Sequence, residues 1–292
     1  MVRTVGKLAA KTSSNGRLVF LLSPAKSLSF DEHQQASGSE PRRAQASPRR
    51  PLFPSETRVL VETMKSKTKG ELRRLMNISE PLAALNHERY RSWDSGQEGR
   101  AGFVFDGPAF RHLRCQDMSD EQLSWLDDRL FILSGLYGLI RPLDSIKPYR
   151  LEMGTKLKTS KGASLYEFWR HLTDRLLSEL DEGDTVVNVA SKEYSSCVDF
   201  EKLISAGCSV LEIKFPGPAV YAKQARGAIV RWACENQVSD LTDLRDWCGD
   251  AGEFEFEGEE SDSSQKRVTF TFRRDKATAD AWKRGKGKKL KR

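Results

Sequence analysis

Four short segments carry side chains whose types and spacing suit chemistry. Ser23-Pro24-Ala25-Lys26-Ser27 follows an apolar run and sets two hydroxyls around a lysine. A serine near a lysine is one form of activated nucleophile, and Ser23 to Lys26 spells S-x-x-K. The helix, S-D-N and K-T-G elements that accompany that string in penicillin-binding enzymes are absent. Lys26 is therefore read as a phosphate contact ahead of nucleophilic catalysis, and a solvated loop lysine is the remaining reading. Tyr221-Ala-Lys-Gln-Ala-Arg-Gly227 spaces Lys223 and Arg226 three residues apart, on one face of a helix. That face suits an anion, although an ordinary surface helix looks similar. Ala190-Ser-Lys-Glu-Tyr194 offers Lys192 and Glu193 either as an ion pair or as acid and base.

The fourth segment is the densest. Between Leu133 and Gly154 stand Ser134, Tyr137, Arg141, Asp144, Lys147, Tyr149, Arg150 and Glu152, punctuated by Gly135, Gly138, Pro142, Pro148 and Gly154. Functional groups crowded on turns suggest a site. The competing reading is internal pairing of Arg141 and Arg150 with Asp144 and Glu152. Metal chemistry is not expected. His33, His87, His112 and His171 lack ligand-spaced partners, and the five cysteines form no C-x-x-C pair.

These segments need a scaffold. The 292 residues are 38% hydrophobic, enough for one large domain or two small ones. The odd cysteine count argues against a disulfide framework. No apolar run reaches the roughly 20 residues that span a bilayer, and a secretory signal is not recognisable. The expected setting is cytoplasmic, with nuclear or organellar placement open. The net charge of +7 favours a polyanionic partner. Seven of the cations lie in the last ten residues, Lys283 to Arg292.

Short apolar runs predict strands over 17–23, 102–105, 129–134, 185–190 and 209–215. A helical pattern covers 55–85, with a break at Asn77-Ile78-Ser79. Ser119 with Gln122, and Ser164 with Glu167, read as capping boxes. The second opens a helix with Leu165, Phe168, Trp169, Leu172, Leu176 and Leu180 on one face. Tyr221, Ala225, Ala228, Ile229 and Trp232 mark another helix. Alternation around Phe254, Phe256, Phe270 and Phe272 predicts an antiparallel hairpin. The sum is a mixed α/β (α+β) single domain over 17–274, without a strict βαβ rhythm. A basic extension (1–16), a mobile loop (about 31–54) and a basic tail (275–292) complete it. The strands at 18–23, 129–134 and 185–190 are expected in one sheet, bringing Ser23, Ser134 and Lys192 to one edge.

Together these segments resemble the YaaA family. The likeness rests on L-L-S-P-A-K-S-L (21–28), L-M-N-I-S (75–79), L-A-A-L-N (82–86), L-S-G-L-Y-G-L-I-R-P-L-D (133–144), P-Y-R-L-E-M-G (148–154), L-Y-E-F-W (165–169), V-V-N-V-A-S-K-E-Y (186–194) and Y-A-K-Q-A-R-G (221–227). The resemblance implies a compact fold with a basic cleft, binding to duplex or distorted DNA, and protection against hydrogen peroxide. It also implies a helix-hairpin-helix element, for which 71–86 is the candidate. Its hairpin has Asn77 and Ser79 where the family has glycines. A second departure is Asp106-Gly107, where the family places Gly before Asp. On this reading Lys26, Asn77, Ser79, Arg141, Lys147, Arg150, Lys192, Lys223 and Arg226 contact DNA, no cofactor is needed, and the protein is a monomer without a membrane partner. The alternative is an enzyme acting on a nucleotide or nucleobase, with the 133–154 cluster, Lys26 and Lys192 as its machinery. A third is an interaction role carried by the tails.

Overall fold

Strand β1 (Leu18–Leu22) is apolar at all five positions and buried throughout, as a strand covered on both faces must be. Beyond its end, β2 (Ser27–Leu28) pairs antiparallel with β4 (Phe105–Asp106), and β3 (Gly99–Arg100) pairs with β7 (Ser145–Ile146). Here and below, the computed structural model describes residues 16–30, 49–262, 266–277 and 280. The N-terminal extension, most of the loop at 31–54 and the cationic run at 283–292 lie outside the described residues. The last part of that loop is anchored: Phe53 is buried, and Arg49 bonds Asp144 at 2.8 Å.

β1 is an interior strand of the seven-stranded main sheet. On one side lies β5 (Leu130–Ser134), on the other β8 (Thr185–Asn188), both parallel to it, with Phe20 opposite Leu130 and Val187. β9 (Ser209–Lys214) continues in parallel beyond β8, and β11 (Arg267–Arg274) beyond β9. Antiparallel strands close both sides, β10 (Phe254–Asp262) against β11 and β6 (Gly138–Ile140) against β5. The order is β10-β11-β9-β8-β1-β5-β6. The sheet is thus more parallel than the sequence rhythm suggests. Its crossovers are long and uneven, and the first runs through all the helices between residues 54 and 129. As expected, the strands at 18–22, 130–134 and 185–188 are neighbours, and the hairpin forms.

Several local expectations fail. The helical stretch at 55–85 is broken between Lys65 and Lys69 as well as at Asn77-Ile78-Ser79. The box at Ser164 is half-formed, the Glu167 carboxylate accepting the Ala163 N–H at 2.9 Å instead. The run Gly102–Phe105 is mostly a helical turn (Ala101–Val104), and only Phe105 and Asp106 are extended. A short buried apolar run reads alike in either state. Here the Gly102 N–H donates to Pro142 O at 2.8 Å instead of to a ladder. The helix expected from Leu165 to Leu180 is two pieces, Leu165–Phe168 and Leu172–Leu177. The break falls at Trp169, whose indole N–H donates to Gly135 O at 3.0 Å and whose ring packs edge-on to Phe53. The capping box at Ser119 and Gln122 forms, and Thr68 with Glu71 makes another. No helix among the described residues is long and apolar enough to cross a membrane.

Candidate functional site

In a parallel sheet all strands run out at the same edge, where open α/β folds bind ligands. Here β1 and β8 deliver Ser23 and Ser191 side by side. The Ser191 N–H donates to Ser23 Oγ at 2.8 Å, and Ser23 Oγ donates to Ser191 Oγ at 3.1 Å. This clip floors a cavity of about 240 Å³. Four separate segments wall it: 22–27, 106–110, residues 191, 193 and 194, and residues 223 and 226.

Helix Ala219–Glu235 brings in the last pair. It crosses helix Pro108–Leu113 so closely that a Cβ on Gly227 would lie 1.8 Å from Ala109 O. That approach holds Lys223 and Arg226, one turn earlier, against the mouth of the cavity. Neither has an ion-pair partner among the described residues. Arg226 is half-buried, its Nε is enclosed without an acceptor, and burial pulls its guanidinium below the ordinary value. A desolvated cation without a counter-ion is poorly satisfied until an anion arrives.

Acids border these cations but are largely engaged. Asp106 lines the cavity and is held by Arg111 at 2.7 and 3.0 Å. The hydrogen bond to Arg111 sets its carboxyl below the usual range. Glu193 accepts the Gly154 N–H at 3.0 Å. Lys26 pairs with Glu152, which also takes Arg150 at 2.8 Å. Lys26 is therefore directed at Glu152, and Ser23 at Ser191. No hydrogen bond joins Ser23 to Lys26 among the described residues, so the nucleophile geometry is not formed. Lys192 and Glu193 do not pair either. Lys192 is exposed between two lining residues.

The remaining sequence candidates are dispersed. Arg141 leaves the antiparallel strand β6 at the opposite edge of the sheet, beside Arg17 and Asp128. Its guanidinium binds Glu179 at 2.6 Å and Asp127 O at 2.8 Å, and lies over the Phe131 ring. One site that includes both Lys26 and Arg141 is thereby ruled out. The expected Arg141–Asp144 partnership is a backbone one, Arg141 N–H to Asp144 at 2.8 Å, and the ion-pair partner of Asp144 is Arg49. Lys147 faces a different hollow, of about 390 Å³, and donates to Trp93 O at 2.7 Å. Ser134 and Tyr149 bond at 2.7 Å in the core, and Tyr137 accepts the Lys147 N–H at 2.8 Å. Most of the 133–154 cluster is scaffold. Arg150 alone reaches the cleft's border, through Glu152.

Asn77 and Ser79 form the elbow between helices Lys69–Met76 and Glu80–Arg91. Asn77 takes the left-handed conformation at φ 49°, and Ser79 begins the second helix without a side-chain cap. Sequence reasoning missed the wall at Pro108–Phe110 and the contribution of Ser191. The wall's apolar and small residues carry no chemical signal, and only the strand order reveals that Ser191 meets Ser23.

The arrangement is a cation-lined cleft at a sheet edge. The sequence profile described as "Peroxide stress protein YaaA" matches residues 18–260. A UPF0246 protein of Phenylobacterium zucineum is 38% identical over 279 residues, covering 92% of this chain and 99% of the relative. One from Maricaulis maris is 38% identical over 267 residues, covering 87% and 95%. One from Caulobacter vibrioides is 37% identical over 238 residues, covering 78% and 90%. With a profile match across most of its length and relatives aligned nearly end to end, the chain belongs to the YaaA family of peroxide stress proteins.

Proposed function

We propose that this protein serves in the response to hydrogen peroxide by binding DNA through its phosphates. The family's description supports the peroxide role. The observation that carries the DNA reading is the unpartnered pair Lys223 and Arg226, presented with Lys26 at the cleft mouth. Phosphates are the natural counter-ions of such a pair, and they carry no base identity. The net charge of +7 adds long-range attraction. In this reading the cationic run at 283–292 is a nonspecific arm, and the elbow at Asn77 and Ser79 supplies backbone contacts of the hairpin kind. The setting is cytoplasmic, and the protein acts as a monomer.

Fluorescence anisotropy of the full chain on two unrelated duplexes, over a salt series, tests this. Similar affinities that fall steeply with salt are expected. No binding to either duplex at low salt would overturn the reading.

A second reading is favoured by one observation: two carboxylates, Asp106 and Glu193, line the same cavity as the cations. A concave site that combines acids with cations suits a nucleotide- or nucleobase-processing enzyme. Turnover of a nucleotide, lost in Glu193→Gln while duplex affinity persists, would favour it.

A further inference from the structure

Phosphates engage the cations of the cleft, yet much of its lining is apolar. Besides its charged residues, the cavity of about 240 Å³ is walled by Pro24, Ala25, Pro108, Ala109 and Phe110. A phosphate gains nothing from such walls, because an anion set against apolar surface loses water without a partner in return. The walls are already packed. Phe110 lies against Phe105 with 4.9 Å between ring centroids, and Ala25 sits so close to Gly107 that a Cβ there would lie 2.8 Å from its methyl. The volume is below the roughly 300–1,000 Å³ of pockets for drug-sized ligands, and it suits one flat ring system.

The polar groups along these walls are acceptors with unequal commitments. Asp106 gives both oxygens to Arg111, at 2.7 and 3.0 Å. Glu193 takes the Gly154 N–H on Oε1 at 3.0 Å, and a Cβ on Gly154 would lie 3.2 Å from that oxygen. The loop thus packs the carboxylate in place. Its second oxygen has no partner among the described residues. Glu193 is therefore the freer acceptor.

An acceptor beside apolar walls selects a flat ring that carries a donor. Adenine, cytosine and guanine bring an exocyclic amine, whereas thymine presents carbonyl oxygens and a methyl group. Inside a duplex the faces of these bases are stacked, so a base can enter a cavity only after leaving the stack. We propose that the cavity takes one unpaired, amine-bearing base of the bound DNA, its amine donating to Glu193, while Lys223 and Arg226 hold phosphates of the same strand. This inference rests on the DNA reading and extends it from phosphates to a base. It gives the acids of the cavity a recognition role in place of a catalytic one.

The test is fluorescence anisotropy of the full-length wild type on four duplexes of one sequence. One is fully paired, and the others carry an extra unpaired adenine, an unpaired thymine or an abasic residue at the same position. The abasic duplex keeps the bend and the phosphates of the bulge and lacks only the base. Unpaired adenine should bind about tenfold or more tightly than the abasic duplex, and about tenfold more tightly than unpaired thymine. Glu193→Gln should shrink the adenine-over-thymine ratio toward one, and a ratio is insensitive to any general change in phosphate binding. Equal affinity for adenine, thymine and abasic duplexes, with the fully paired duplex still bound, would overturn the base pocket and leave the DNA reading intact. Equal affinity for adenine and thymine, both above abasic, would overturn the selection of an amine. A wild-type ratio in Glu193→Gln would overturn Glu193 as its acceptor. Failure to bind any of the four would overturn the DNA reading itself.

Discussion

Replacing Gly227 by alanine gives a sharp test, because two principles predict opposite signs. In an open helix alanine is better than glycine by about 1 kcal/mol. At Gly227 the added Cβ would lie 1.8 Å from Ala109 O, 2.6 Å from Ala109 C and 2.9 Å from Ala109 Cα. All three are backbone atoms, so no side chain can turn away. Restoring an ordinary contact requires the two helices to part by roughly 1.5 Å. Overpacking costs about 1–3 kcal/mol, occasionally more, and a backbone clash on this scale belongs at the upper end. After the propensity gain, the expected net loss is about 2 kcal/mol. In a chain of this size that lowers Tm by roughly 4–8 °C. The same movement displaces Lys223 and Arg226, so duplex affinity should fall as well. Gly70 is the control: in helix Lys69–Met76 its Cβ would meet only an Arg74 side-chain atom, at 3.8 Å. Gly70→Ala should gain about 0.5–1 kcal/mol. Urea and thermal denaturation of both variants would measure the difference. A gain in Gly227→Ala comparable to that in Gly70→Ala would refute the helix contact and the cleft wall built on it.

Other outcomes follow from the same geometry. Ser134→Ala removes the hydroxyl that bonds Tyr149 at 2.7 Å and accepts the N–H groups of Leu136 and Tyr137 at 3.2 and 3.1 Å. It should cost about 1–3 kcal/mol in urea denaturation, and wild-type stability would mean that the 133–154 turns do not depend on this hub. Burial raises the Glu212 carboxyl above the usual carboxylate range, and the hydrogen bond from Asn188 only partly opposes this. A raised folded-state value means that the native state binds more protons. Stability is therefore lost as pH rises from the unfolded value of about 4.3 through the raised one. Glu212→Gln should remove that decline, leaving its largest gain over wild type above the window and little below it; equal pH profiles would refute the burial argument. Removing residues 283–292 should leave the melting curve unchanged while weakening duplex binding and flattening its salt slope. An unchanged slope would exclude the tail as a DNA arm.

The sequence was most informative where one local pattern determines one structure. The five apolar residues of β1 had to be a buried strand, and Ser119 with Gln122 had to start a helix. Lys223 and Arg226 share a helix face by spacing alone, and the structure puts both at the cleft. The neighbouring of β1, β5 and β8 was legible from their shared apolar character, but side-chain pairings between distant segments were not. Arg141 looked like a companion of Lys26, because turns conceal direction. The antiparallel course of β6 carries it to the far edge of the sheet, where Glu179 holds it. Asp144 looked like Arg141's partner and is instead tied by Arg49, 95 positions away in the chain. Gly227 read as the end of a cationic motif, and its steric role appears only once Ala109 is placed against it. The pairing of Arg150 with Glu152 was legible from their spacing and is present, whereas the second partner of Glu152, Lys26, comes from a distant strand end and was not.

The cleft's cations are the centre of the account, and the salt dependence of duplex binding tests them most directly. Lys223→Ala and Arg226→Ala should each lower the slope of log K against log salt by about 0.9, equally on two unrelated duplexes. Arg141→Ala, whose guanidinium is held by Glu179 and Asp127 O, should keep the wild-type slope. Wild-type slopes in both Lys223→Ala and Arg226→Ala would contradict the assignment of this cleft to DNA phosphates.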